Sequence, residues 1–169
     1  MSDLNFWISQ LKEDTSLKYW NKEFLERVYS AVSYQELGEI GLIILKGMPQ
    51  PIAQVCGPIT SGGLGSIEKN LDVINRTIRK LTSNGSIVFN QMPFEQPMQD
   101  MQRTSTLPVE ETYQSLLNDC YLPLFNSGLI RRLYFIYGWR FSFGAKWEHQ
   151  KAQELGIATH YLEKDFHLK

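Results

Sequence analysis

The sequence predicts an α/β fold, a doubly wound, mostly parallel sheet of the Rossmann or flavodoxin kind with an N-terminal helical extension. Three observations predict it. Residues 1–50 carry helical periodicity alone, and from Ile52 onward short apolar runs alternate with amphipathic stretches. The two clearest apolar runs each end in a glycine-containing loop that feeds a helix, the order that builds strand–helix–strand units. The expected boundaries are a helical extension over residues 1–50 and an α/β domain over residues 51–169.

Leu17, Trp20, Phe24, Val28 and Ala31 recur at steps of three and four, which predicts one amphipathic helix over Leu17 to Ala31. Ser33 followed by Glu36 forms a capping-box pattern, and Leu37, Ile40 and Ile44 continue a helical stripe until Gly47 and Pro49 stop it. Ile52 to Cys56 reads as a strand and Gly57 to Gly65 as a loop. Ser66 then caps a helix whose buried stripe is Ile67, Leu71, Ile74, Ile78 and Leu81, with Asn84-Gly85 closing it before a strand at Ile87 to Phe89. Residues Gln91 to Pro108, rich in Pro, Gln and Met and without a period, read as a long loop of the lid kind. A helix follows near Val109 to Phe125. Leu133 to Tyr137 reads as a buried strand, a helix begins near Phe143, and Ile157 to Thr159 is a last short strand.

Composition narrows the function. Of 169 residues 43% are apolar and 21% charged, enough for one sizeable core. The net charge is -1 and Lys and Arg form no block, which argues against a nucleic-acid polymer or an anionic membrane as partner and favours a small ligand. Two cysteines, Cys56 and Cys120, without a ligand pattern predict neither disulfide nor zinc site, and His149, His160 and His167 are not spaced as metal ligands. No basic region precedes an apolar core near the start, and no apolar run reaches membrane-spanning length, so the expected location is the cytoplasm.

Ligands of such sheets bind beyond the carboxyl ends of the strands, so two loops are candidates. In the first, Gly57, Pro58, Ile59, Ser61, Gly62 and Gly63 lead into a helix whose N–H groups suit a phosphate or sugar hydroxyl. The second runs through Gly138, Trp139, Ser142 and Gly144 and places Glu148 in the first turns of a helix, where the dipole favours an ionised carboxylate. The segment Gly138-Trp139, Ser142, Gly144-Ala145, Glu148, Ala152 and Gly156 resembles the GW-x-x-S-x-GA-x-x-E-x-x-x-A pattern of the nucleoside deoxyribosyltransferase-like superfamily. Upstream, Val55-Cys56-Gly57-Pro58-Ile59-Thr60 is similar to that group's loop after the first strand, Asn70 matches an Asn of its next helix, and Val88-Phe89-Asn90 is similar to its second strand.

The resemblance, over about residues 52–160, implies a metal-independent, cofactor-free enzyme that exchanges or hydrolyses the N-glycosidic bond of a nucleoside or nucleoside 5'-monophosphate, as a homodimer or larger homo-oligomer. It assigns Glu148 as nucleophile, Ser142 to the 5'-phosphate and, as nearest candidate for the acid that protonates the leaving base, Asp119; Asn90 and Trp139 join the substrate contacts. The chemistry agrees, because a carboxylate on the face of the sugar both stabilises and captures an oxocarbenium-like carbon. The sequence departs from the pattern at Cys56, where a serine is expected, at Gln91, where a proline is expected, and at Ser127 to Arg132, which is longer by about one helical turn. These departures keep open a non-catalytic nucleotide-binding or regulatory module. Trp7, Ile8, Trp20 and Phe24 of the extension are candidates for docking on another subunit.

Overall fold

The computed structural model describes residues 3–169; the first two residues of the expected extension lie outside it. In chain order the elements are α1 (Asp3–Gln10), α2 (Lys22–Ser30), α3 (Tyr34–Lys46), β1 (Ile52–Cys56), α4 (Ile67–Ser83), β2 (Ile87–Val88), α5 (Glu95–Thr104), α6 (Val109–Ser115), a π-helical stretch (Leu116–Tyr121), α7 (Leu122–Asn126), β3 (Ile130–Phe135), α8 (Phe143–Leu155) and β4 (Ala158–Tyr161). By internal contacts they divide into two units, residues 1–48 with 90–128 and residues 49–89 with 129–169. Residues 90–128, expected inside the α/β domain, thus group with the N-terminal helices.

The first unit is all helical. The stretch expected as one helix is broken at Trp20-Asn21, because the Asn21 side chain accepts from the Phe24 N–H at 2.8 Å and caps α2. Ser33 caps α3, accepting from Glu36 N at 3.2 Å, while Glu36 Oε2 reaches back to the Val32 N–H at 2.9 Å. Trp7, Trp20, Leu25, Val28, Leu37 and Ile40 are buried. Trp20 meets Phe94 edge-on and donates its indole N–H to the Asn90 carbonyl at 2.9 Å, so Trp7 and Trp20 are core side chains of this unit rather than a surface for another subunit.

The expected loop over Gln91 to Pro108 is in fact a short 3-10 turn at Met92–Phe94 followed by α5. Pro97 stands in the first turn of α5, where its missing N–H has no helical partner to lose, so it starts a helix rather than breaking one. Burial of Phe94, Pro97 and Met98 supplies the fixing contacts.

α3 approaches the π-helical stretch and α7 through two glycines. A Cβ on Gly38 would lie 2.9 Å from the Asp119 carbonyl oxygen, and one on Gly41 would lie 2.9 Å from the Leu124 side chain. Gly38→Ala is therefore expected to lower stability by about 1–2 kcal/mol, the backbone clash outweighing the gain in helix propensity, and denaturant titration checks it.

The second unit is a four-stranded, all-parallel sheet in the order β2-β1-β3-β4. The sequence-based expectation of a doubly wound α/β fold holds. α4 links β1 to β2 in one direction and α8 links β3 to β4 in the other; right-handed crossovers then put the two helices on opposite faces. β1 is central and buried at every residue. β3 starts three residues earlier and ends two earlier than the apolar run indicates, since Ile130 and Arg132 pair with β1 while Arg131 is skipped at a register shift, and both arginines remain exposed at the strand's amino end. The last strand is Ala158–Tyr161, and its ladder continues through Leu162 N to Phe135 O at 2.9 Å.

Candidate functional site

The sheet order reverses between β1 and β3, and their carboxyl ends form the switch point where such sheets bind ligands. Beyond Cys56 and Phe135 the strands continue to pair, with Ile136 N donating to Cys56 O at 2.9 Å. A Cβ on Gly57 would lie 3.2 Å from Ile136, so the two exits are in close approach there. A cavity of about 500 Å³ opens at this point, a size suited to a small ligand. Pro58, Gly63, Leu64 and Asn70 border it from the first loop and α4, and Ile136, Gly138 and Phe141 from the exit of β3. The segment after β4, from Lys164 to Leu168, forms a further wall.

The first loop is held from below by Asn70. Its amide nitrogen donates to Ile59 O at 2.9 Å and Gly62 O at 3.2 Å, and its oxygen accepts from Leu64 N at 2.8 Å. Gly62 and Gly63 have φ of 72° and 68°, and a Cβ on Gly63 would run into the Asn70 side chain, so both the turn and the close approach require glycine. Asn70→Ala is expected to cost about 2–3 kcal/mol through the loop groups left unbonded. Faster amide exchange at Leu64 and a lower melting temperature are the readouts.

Glu148 sits on α8 and is buried, with 9% of its surface exposed. Its Oε1 accepts from Gln54 Nε2 at 3.3 Å, and the Cys56 thiol hydrogen bonds to the same carboxylate. Gln54 and Cys56, two apart on β1, share the face that α8 covers, and Ala53 and Val55 share the other. Burial, then the charge and hydrogen bond of Glu148, push the Cys56 thiol well up, so Cys56 is a neutral donor here and not a nucleophile. Gln54 is fully buried in the central strand, and its Oε1 has no hydrogen-bond partner among the described residues.

Pro58, Gly63 and Gly138 thus meet around the cavity, whereas Glu148 does not border it. Ser142, also buried, caps α8 by accepting from Ala145 N at 3.3 Å, and Gly144 is buried in that helix's first turn. Trp139, expected against a substrate, is instead stacked on His149 at 4.4 Å between ring centres, with the Arg140 guanidinium 4.7 Å from its ring. His149 faces the Tyr161 hydroxyl at 2.8 Å, and burial first, then the Arg140 charge, hold its imidazole below the ordinary value. Asn90, another expected substrate contact, spends its side chain on Ser16 Oγ at 2.9 Å and Met92 N at 3.0 Å within the first unit. Asp119 is an exposed residue of the π-helical stretch, also in the first unit.

Comparisons with protein-family models, curated proteins and solved structures give no match. Among the described residues no cluster of three or more His, Cys, Asp or Glu side chains is arranged to hold a metal, and both cysteines are free and buried. No described helix is long and apolar enough to cross a membrane. Sequence reasoning missed Gln54, Lys164 and His167. A polar residue inside a five-residue apolar run was the available signal for Gln54; the tail after β4 carries no periodicity and gave none.

Proposed function

We propose that the second unit cleaves or exchanges the N-glycosidic bond of a nucleoside or nucleoside 5'-monophosphate, with Glu148 as nucleophile. The observation that supports this most directly is a buried carboxylate, oriented by Gln54 and Cys56, against the carboxyl end of β1. In the reaction a Glu148 oxygen bonds to C1', the C1'–N bond breaks, and its electron pair leaves with the base, which takes up a proton from a general acid. Water or a second base then bonds to C1', gives its proton to the conjugate base of that acid and releases the carboxylate. The Gln54 amide and the Cys56 thiol, two neutral donors, hold the carboxylate in place for that attack. The resemblance of the Ser142 to Glu148 segment further supports a cytoplasmic homo-oligomer, which light scattering tests.

A second reading is a nucleotide-binding module without turnover. It is favoured by the cavity's lining, which includes Pro58, Gly63 and Gly138 but not Glu148. One experiment separates the two. The protein is incubated with a panel of ribo- and deoxyribonucleosides and their 5'-monophosphates, free base is measured by chromatography, and binding is followed calorimetrically in parallel. Base release supports the first reading and binding without product the second; neither binding nor release would exclude both.

A further inference from the structure

The chain after β4 turns back along the sheet's rim and is fixed there. Leu162 N donates to Phe135 O at 2.9 Å, Leu168 N to Asp165 O at 3.0 Å, and the Lys80 ammonium of α4 lies 4.9 Å from the centre of the Phe166 ring. This places Lys164, Asp165 and His167 in the wall of the switch-point cavity, whose other surfaces are largely apolar. Neighbouring cations are engaged: Lys80 by Phe166, Lys169 by Glu163 and Arg140 by Trp139 and Tyr161. The side chains of Lys164 and His167 have no hydrogen-bond or ion-pair partner among the described residues.

We infer that the cavity takes a phosphate monoester on an apolar or aromatic body, and that Lys164 and His167, not Ser142, hold the phosphate. This rests on the cavity being the ligand site, as the nucleotide-binding reading above takes it. A lysine and an imidazole facing one largely apolar space supply donors for a phosphate, and bonds from a charged donor to a phosphate are stronger than neutral ones. Ser142 is buried, caps α8 and is absent from the cavity wall. Asp165 opposes additional negative charge and offers an acceptor to hydroxyl or N–H donors of the ligand, which selects a monoester over a di- or triphosphate.

Phenyl phosphate, phenol, a nucleoside 5'-monophosphate and the matching nucleoside are titrated into the full chain by calorimetry, with the His167 imidazole resonances followed by NMR. The expected result is that phenyl phosphate and the monophosphate bind and shift His167, while phenol and the nucleoside bind at least tenfold more weakly. Lys164→Ala should weaken both phosphates by about tenfold and Lys164→Arg restore them, whereas Ser142→Ala should leave them unchanged. Lys164 is exposed, so its loss does not endanger the fold. The inference is overturned if phenyl phosphate fails to bind, if Lys164→Ala is silent, or if Ser142→Ala abolishes binding. Phosphate binding of this kind without base release from any nucleotide leaves the inference standing and removes only the glycosidase reading.

Discussion

Glu148→Gln is expected to reduce base release by at least about 10³-fold while leaving the fold intact. The amide keeps the volume of the carboxyl but loses the charge that, in the proposed reaction, stabilises and captures the anomeric carbon. The fold tolerates the exchange for a specific reason. Gln54 presents Nε2 to Glu148 while its own Oε1 is buried without a partner, so a half-turn of the Gln54 amide offers an acceptor to the new NH₂ group. The Cys56 thiol retains an oxygen to donate to. Melting temperature should therefore change by no more than a few degrees, roughly what a 1 kcal/mol perturbation produces in a chain of this size. Chromatographic assay of free base, alongside calorimetric melting, makes the check. Activity that survives in the glutamine variant would remove Glu148 from the nucleophile's role.

Gln54 also marks where the sequence was legible and where it was not. The strands at β1 and β2, the helix stripes of α3 and α4, and their Ser33 and Ser66 caps follow from local spacing, because periodicity and capping act within a few residues, whereas Ser142, read as a phosphate contact, turns out to cap α8. The parallel pairing of the strands follows from their alternation with helices. What local spacing does not carry is which distant groups share a space. Residue 54 meets residue 148 across the α8 face of β1, and the tail at Lys164 and His167 meets the loop at Pro58 and Gly63. The same limit explains Trp139 and Asn90. Each matched a site position in the sequence, yet each finds its partners in packing, Trp139 with His149 and Asn90 with Ser16. Pro97 misled for the opposite reason, since a residue that breaks helix interiors is well placed in a first turn.

Stability is expected to fall as pH rises from about 4.5 to 7, and Glu95→Gln to remove much of that fall. Glu95 opens α5, where the helix dipole alone would favour its charged form. Burial wins: the carboxyl is pushed from 4.5 up to about 7. Below 4.5 the folded and unfolded chains both hold the proton, and the carboxyl costs nothing by its charge. Between 4.5 and 7 the unfolded chain releases the proton while the folded chain keeps it, so stability declines with each pH increment. Above 7 both forms are ionised, and the buried charge has its full cost of roughly 3 kcal/mol. The direction is opposite to that of a salt-bridged carboxylate, whose contribution vanishes in acid. Glutamine at this position is neutral at every pH. Denaturant titration should find Glu95→Gln close to the parent at pH 4 and about 2–3 kcal/mol more stable at pH 8. The Cys120 thiol gives an independent reading, because the Glu95 charge is among the causes that raise it, after burial. Removing that charge should lower the Cys120 thiol somewhat, burial still holding it well above its ordinary value. Equal stability of the two proteins at pH 8 would mean that Glu95 reaches solvent and ionises without cost.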